Sequence, residues 1–178
     1  MAARTHDRSV KTCRHDKLAA VQRSSVMQPI LRRTTIVVRD LDQSIAFYRD
    51  GIGLRVGWDR ETVLGDAIPL APGAKGRFAT VMGEDEVIGM IGLLQVVDPP
   101  LPAPPVPATE ALSVGATIFV IGTEDCDGVH DRLEALGARI YKAPYDQELK
   151  GRDGQPIKMR SMAAWDPDGH FLEINQRF

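Results

Sequence analysis

The sequence has few of the features that mark nucleic-acid-binding, membrane or disulfide-stabilised proteins. Its 178 residues carry a net charge of −2, so no excess of one sign favours nucleic acid or an anionic membrane surface. No apolar run approaches the roughly 18–20 residues that a membrane span needs. The two cysteines, Cys13 and Cys126, lack metal or redox spacing, and we therefore expect a cytoplasmic protein.

Motifs for nucleotide binding and for a nucleophilic serine are also missing. The segment Gly51-Ile52-Gly53 lacks the third glycine and the strand-to-helix setting of a dinucleotide fingerprint. No P-loop and no nucleophile elbow occurs. A catalytic role must therefore come from other side chains.

The first part of the chain differs in composition from the rest. Residues 1–26 contain six Lys or Arg residues against two Asp, with few large apolar residues and no sustained amphipathic period. Such a segment cannot bury enough apolar surface to offset the entropy of ordering, and it lacks the apolar core of a secretory signal. We predict that residues 1–29 form a mostly disordered basic extension and that residues 30–178 form the folded domain.

The folded part begins with a pattern that predicts a strand, a helix and three strands in module one, residues 31–97. Residues 31–39 are rich in β-branched types, which favours a strand. Asp40, followed by Gln43, resembles a capping box that opens a helix, and Gly53 follows where that helix should end. Strands are then predicted at 54–58, 77–82 and 87–97.

The same order of elements recurs after a proline-rich segment. Six of the twelve residues from Asp98 to Thr109 are proline, which predicts a semi-rigid linker over 98–112. Module two, residues 113–178, has a β-rich run at 116–121 and a helix capped by Asp125 or Asp127. A strand at 139–143 and a closing hairpin follow. This internal repeat predicts an α+β fold of tandem βαβββ modules.

The closing hairpin is predicted at Trp165-Asp166-Pro167-Asp168-Gly169-His170-Phe171-Leu172-Glu173-Ile174-Asn175-Gln176. Asp-Pro-Asp-Gly favours a tight turn, because Pro presets φ, Gly allows positive φ and the Asp side chains bond to nearby N–H groups. Alternation along the second strand places Phe171, Glu173 and Asn175 on one face of the sheet.

Two long segments resemble the vicinal oxygen chelate superfamily, which includes glyoxalase I, bleomycin-resistance proteins, fosfomycin-resistance enzymes and extradiol dioxygenases. The first is Thr-Thr-Ile-Val-Val-Arg-Asp-Leu-Asp-Gln-Ser-Ile-Ala-Phe-Tyr-Arg-Asp-Gly-Ile-Gly-Leu, residues 34–54, and the second is the closing hairpin. The resemblance implies that the two modules form a half-open, mixed-sheet barrel around a concave pocket, in a protein that forms homodimers.

The resemblance also implies where metal ligands should lie. Family enzymes usually hold a divalent metal through His, Gln or Glu on the first and last strands of each module. The first-strand position of module one, seven residues before the helix-opening Asp, is Arg33, and that of module two is Ile118, or Thr117 with a one-residue slip. The last strand of module one reads Gly-Leu-Leu-Gln over residues 92–95. Glu173 is the one matching ligand, so we expect no metal cofactor, with a divalent metal as the alternative.

Arg33 and Glu173 are the candidate catalytic pair. If family geometry holds, both point into the pocket, where Arg33 replaces the positive charge of the metal, either pairing with Glu173 or holding an anionic ligand. Glu173 is then a candidate general base. The alternative is an ordinary ion pair, or an arginine at the pocket rim.

Four further residues near strand ends are predicted to contact a ligand: Gln95, Arg160, Trp165 and Phe171. For Trp165, a place in the core or in a dimer interface is more common than a role as a stacking platform for a ligand. The predicted function is binding of a small hydrophobic or aromatic compound, which can be anionic, with metal-independent lyase or isomerase chemistry open to it. The alternative is a metal-dependent lyase like glyoxalase I, or an enzyme like the extradiol dioxygenases.

Overall fold

Module one contains a strand, a helix and three strands, as predicted from the sequence. The computed structural model describes residues 29–103, 105 and 111–178, and Leu31–Phe178 form one compact unit. The elements of module one are β1 (Arg33–Val37), α1 (Leu41–Ala46), which continues as a π-helical segment (Phe47–Ile52), β2 (Arg55–Val63), β3 (Lys75–Met82) and β4 (Met90–Asp98). They form a sheet of order β1-β4-β3-β2, in which β1 runs parallel to β4.

Module two repeats this arrangement. Its elements are β5 (Ile118–Gly122), α2 (Cys126–Ala135), β6 (Arg139–Lys150), β7 (Pro156–Trp165) and β8 (Phe171–Arg177). The sheet order is β5-β8-β7-β6, again with the first strand parallel to the last. The predicted α+β fold of tandem βαβββ modules is therefore confirmed.

Most predicted strands agree with the structure to within about two residues at each end, and three differ by more. The second strand of each module is longer than predicted, since β2 reaches Val63 and β6 reaches Lys150, and both contain irregular pairing typical of a β-bulge. The last strand of module one starts later, at Met90. The reason is local: Asp85 Oδ1 accepts hydrogen bonds from the N–H groups of Val87 and Ile88, at 2.7 and 3.0 Å, which holds these residues in the turn.

Both helices begin at an aspartate. The Asp40 side chain accepts from Gln43 N at 3.0 Å, and the Asp125 side chain accepts from Gly128 N at 2.9 Å. Asp125, rather than Asp127, is therefore the N-cap of α2. None of the helices in the described residues is long and apolar enough to cross a membrane.

One apolar core joins the helices to the helix-facing sides of both sheets. Leu41, Tyr48 and Leu133 are fully buried in it, together with Leu93 of the first sheet and Leu172 of the second. Alternation sends every second residue of each strand to the opposite side. We call these opposite sides, which carry no helix, the open faces of sheet one and sheet two.

Two sequence predictions fall wholly or partly outside the described residues. The predicted disordered extension, residues 1–29, lies outside except for its last residue. Of the predicted linker, 98–112, residues 104 and 106–110 lie outside the described part of the chain. In its described part, Pro100 forms an isolated bridge with Val97, at the end of β4.

Candidate functional site

Glu173 lies on the open face of sheet two. It is exposed, and its ladder partners are Val120 on β5 and Ala163 on β7, both small or apolar. In the described part of the chain, its carboxylate has no hydrogen-bond or ion-pair partner. An exposed carboxylate without a protein partner is available to a ligand.

Three aromatic rings form a cluster beside Glu173. The Phe171 ring packs edge-on against Trp165 and Tyr141, with centroids 4.8 and 5.5 Å apart. Phe171 and Trp165 are buried, whereas Tyr141 is 58% exposed. The structure thus brings the predicted ligand-binding residues Phe171 and Trp165 to the same face as Glu173. Tyr141 provides the accessible edge of this aromatic cluster.

A row of hydrogen bonds crosses the same face on the other side of Glu173. Gln147 Nε2 donates to Ser161 Oγ, and Ser161 Oγ donates to Asn175 Oδ1, each at 2.7 Å. Ser161 and Asn175 are register partners on β7 and β8, whereas Gln147 on β6 is paired with Met159, two residues from Ser161 along β7. Glu173 therefore stands between an aromatic cluster and a polar row, a combination that suits recognition of a ring with a polar substituent.

Two buried polar atoms near the closing turn have no hydrogen-bond partner among the described residues. They are Trp165 Nε1, a donor, and Asp168 Oδ2, an acceptor. Both residues line a cavity of about 360 Å³ that His170 also lines. Burial raises the pKa of the Asp168 carboxyl, although the Arg39 N–H donates to its other oxygen at 3.1 Å. An orphaned donor and acceptor at one cavity are suited to a polar group or to water.

Arg33 lies on the open face of sheet one. Its guanidinium carbon is 4.7 Å from the centre of the Phe78 ring. Within one chain, Arg33 and Glu173 form no salt bridge, so the alternative of an ordinary intrachain ion pair is not observed. The shared pocket predicted for these two residues stays a prediction.

The strand registers identify the four positions that correspond between the modules. In the parallel pair of module one, Thr35 lies beside Gly92, and in module two Val120 lies beside Glu173. Because Thr35 and Val120 each precede the helix-capping aspartate by five residues, Gly92 and Glu173 are equivalent.

These four positions do not fit a divalent metal. They carry the guanidinium of Arg33, no side chain at Gly92, the alkyl group of Ile118 and the carboxylate of Glu173. Only the last can donate to a metal, whereas a stable site needs three or four donors. Moreover, the described residues contain no cluster of three or more His, Cys, Asp or Glu suited to a metal.

Gln95 faces the helices and holds the start of α1. Its Oε1 accepts from Leu41 N at 3.2 Å, and its Nε2 donates to the Arg39 carbonyl at 2.9 Å. Gln176 occupies the equivalent place in module two and accepts from Cys126 N at 3.1 Å. The structure gives Gln95 a structural role at this site, away from the open face.

Arg160 also lies on the side that faces the helix. Its guanidinium binds Asp127 with two hydrogen bonds of 2.8 Å and Asp146 with one of 2.9 Å. In module one Arg77 also joins the helix to the second strand, but there two bonds go to the strand residue Asp59 and one goes to the helix residue Asp42. The structure does not bring Arg160 to the open face. Each module is instead clamped by one arginine that joins its helix to its second strand.

We predict that Arg160→Gln lowers the melting temperature and leaves ligand affinity unchanged, with exposed Arg152→Gln as the matched control. The hydrogen bond from Arg160 lowers the pKa of the Asp127 carboxyl. Since that pKa is lower in the folded state, the stabilisation is present above the unfolded pKa of about 3.9 and disappears as the pH falls through the folded pKa. Denaturation at a series of pH values should therefore show a difference between the proteins at pH 7 that vanishes in strong acid. A difference that persisted in acid would contradict this account.

The sequence reasoning did not find four side chains of the open faces: Trp58, Arg60, Tyr141 and Gln147. Tyr141 lay within a predicted strand, and alternation could have assigned its face. Arg60 and Gln147 lie in the parts of β2 and β6 beyond the predicted limits, so no sequence signal placed them.

A cleft beside the closing turn, at the ends of both helices, has less chemistry to offer. It has a volume of about 420 Å³, and Phe47, Leu136 and Asp166 are among the residues that line it. Asp166 is committed to hydrogen bonds with Tyr48 and with the turn. The open face with Glu173 is therefore the better candidate.

Comparison with known families covers almost the whole described region. The family model of the Glyoxalase/Bleomycin resistance protein/Dioxygenase superfamily matches residues 30–174. No curated protein sequence matches the chain.

Several solved structures share the fold at low sequence identity. A glyoxalase family protein from Bacillus cereus has a TM-score of 0.68 and 20% identity, over 87% of this chain and 98% of that chain. TnmS3, an antibiotic binding protein from Streptomyces sp. CB03234, has a TM-score of 0.53 and 17% identity, over 85% and 98%. The trypanothione-dependent glyoxalase I of Leishmania major has a TM-score of 0.50 and 19% identity, over 84% of this chain and 87% of that chain. At these identities the similarity establishes the fold alone.

Proposed function

The chain belongs to the Glyoxalase/Bleomycin resistance protein/Dioxygenase superfamily, and on this premise we propose that it binds a small aromatic or hydrophobic compound without a metal. The observation that carries the proposal is the Glu173 carboxylate, exposed and without a partner in the described chain, beside the Phe171, Trp165 and Tyr141 rings. Aromatic walls with a few polar groups are typical of ligand sites. TnmS3, which shares the fold, is an antibiotic binding protein, and this supports a binding role.

Glu173 gives the site a possible proton acceptor. A carboxylate beside a bound ring can remove a proton from an acidic carbon of the ligand, if a positive charge stabilises the enolate that forms. Arg33 is the proposed source of that charge. This is the metal-independent lyase or isomerase chemistry that the proposal includes.

We further propose that the protein is a homodimer in which the open face of sheet one of one protomer meets that of sheet two of its partner. Large apolar side chains are exposed on the open faces at the first strands of both modules: Val37 by 52%, Ile118 by 44% and Val120 by 67%. Such residues favour a subunit interface. Pairing the faces would place Arg33 of one protomer near the partner's Glu173. We retain the cytoplasm as the proposed location.

Glu173→Gln tests the role of the carboxylate. A thermal-shift screen of small aromatic compounds should identify those that stabilise the protein. The variant should bind these compounds about tenfold more weakly, as expected for the loss of one charge-assisted contact. Glu148→Gln, an exposed glutamate on β6, is the matched control. Equal affinities in all three proteins for every compound found would refute a Glu173 site.

A metal-dependent enzyme is the second candidate, and it is favoured only by the family. We predict that the purified protein contains well below one equivalent of divalent metal, and that EDTA leaves its melting temperature unchanged, because one donor cannot retain the ion. Elemental analysis and a thermal shift with Zn²⁺, Mn²⁺, Ni²⁺ and Fe²⁺ measure both quantities. Stoichiometric metal would overturn the metal-free proposal.

A further inference from the structure

Four side chains form a continuous array on the open face of sheet one. The Arg33 guanidinium carbon lies 4.7 Å from the centre of the Phe78 ring. The Phe78 and Trp58 rings are 5.0 Å apart, and the Arg60 guanidinium carbon lies 4.2 Å from the Trp58 ring. Two cations therefore flank two aromatic rings.

The backbone fixes this array. Phe78 on β3 is paired with Arg60 on β2. Trp58 on β2 is paired with Thr80, which lies two residues after Phe78 on the same face of β3. Phe78 is buried in a cluster with Leu94, whereas Trp58 is 41% exposed. The array thus has a rigid centre and an accessible aromatic surface.

The charges of the array are not neutralised by the described residues. Neither Arg33 nor Arg60 has an acidic partner there. By contrast, Arg55 on the same strand as Arg60 donates to the Gly83 carbonyl at 3.0 Å and lies 3.5 Å from Glu86. A guanidinium that stacks on a ring keeps its in-plane N–H donors, which match a carboxylate.

We propose that this array binds a flat aromatic compound that carries an acidic group. The ring of the ligand stacks on Trp58, and its acid group accepts hydrogen bonds from Arg60 or Arg33. The inference rests on the proposed binding function and names its ligand class. It also adds a binding surface on sheet one, which in the proposed dimer faces the aromatic cluster on the partner's sheet two.

The experiment compares two probes with the same ring and different charge. The acid is 2-naphthoate, and the neutral control is 2-naphthol at pH 7. The chain has two tryptophans, Trp58 and Trp165, so its ¹⁵N spectrum contains two indole N–H signals. Trp58→Phe assigns them. We expect 2-naphthoate to shift the Trp58 signal and to bind about tenfold more tightly than 2-naphthol.

The variants then test the charges. Arg60→Gln should weaken 2-naphthoate binding by several-fold to about tenfold and leave 2-naphthol binding unchanged. Arg55→Gln removes one charge from the same strand outside the array and should have no effect. Trp58 is partly exposed, so Trp58→Ala should fold and should weaken the binding of both probes.

Two results would overturn the inference, and they differ in what they say about the proposed function. If 2-naphthoate shifts only the Trp165 signal and binds equally well to Arg60→Gln, the array is not a site, while a site on sheet two remains supported. If neither tryptophan signal moves and calorimetry detects no binding at millimolar concentration, both the array and the proposed aromatic ligand are contradicted.

Discussion

Asp166→Ala is expected to lower the free energy of unfolding by about 3–5 kcal/mol, since it removes a buried carboxylate and leaves its donors unpaired. Asp166 is 1% exposed. Its carboxylate accepts from the Tyr48 hydroxyl at 2.9 Å, from His170 N at 2.7 Å and from Asp168 N at 3.0 Å. One side chain thus closes the hairpin turn and joins it to the helix of module one.

Tyr48 provides the graded comparison for this prediction. Tyr48 is fully buried, and burial, followed by the nearby Asp166 charge, raises the pKa of its hydroxyl well above the usual value. The hydroxyl therefore stays protonated and donates at any ordinary pH. Tyr48→Phe removes one of the three bonds and should cost about 1–3 kcal/mol.

Urea denaturation of each variant measures these losses. Asp153→Ala is the control, because Asp153 also bonds to a turn N–H, that of Gln155 at 3.1 Å, but is exposed. It should change stability by less than about 1 kcal/mol. An Asp166→Ala protein as stable as the control would mean that water reaches the turn and replaces the carboxylate.

The closing turn illustrates what the sequence can and cannot specify. Asp-Pro-Asp-Gly predicts both the turn and the local bonds from aspartate to N–H groups, because these depend on residues within a few positions. The Tyr48 partner lies 118 residues away from Asp166. Helical spacing predicts only that Tyr48 packs in the core. The partner of a buried carboxylate depends on tertiary packing, which local patterns do not encode.

The candidate site divides in the same way. Alternation places Phe171 and Glu173 on one face of a strand, and the structure agrees because register and face follow from the period of two. Gln95 and Arg160 were predicted from their nearness to strand ends, which does not determine a face. Both lie on the helix side, where they bond to helix starts or helix acids. The face on which each of these two residues lies is known only once the register of its strand with the neighbouring strands is known.

The arginine clamps and capping glutamines also show how much the repeat contains. Arg77 and Arg160 occupy equivalent positions, as do Gln95 and Gln176, and each pair bonds to equivalent residues at the start of the helix. The repeat was recognised from its helix boundaries. A residue-by-residue comparison of the two modules predicts that these side chains are structural. A ligand site occurs once in the chain, whereas these residues and their bonds occur in both modules.

Gly92→Ala is the other substitution with a large expected effect, a loss of about 1–3 kcal/mol from overpacking. Gly92 is buried at the position equivalent to Glu173. A Cβ atom there would lie 2.7 Å from Thr35 Oγ1, 2.9 Å from Phe78 Cζ and 3.0 Å from Arg33 Cδ. The Phe78 ring is held by its neighbours, so the strain cannot be relieved by a side-chain rotation alone.

The contribution of Arg33 to this crowding can be measured with a double-mutant cycle. Arg33→Ala removes one of the three close contacts, so Gly92→Ala should cost less in that background, and the two effects should not add. Gly122→Ala is the matched control, because Gly122 is also on a strand and a Cβ there meets nothing within 4 Å. Additive effects would mean that Arg33 does not limit the space at Gly92. Non-additive effects would mean that the Arg33 side chain, which stacks on Phe78, contributes to the crowding that keeps position 92 free of a side chain.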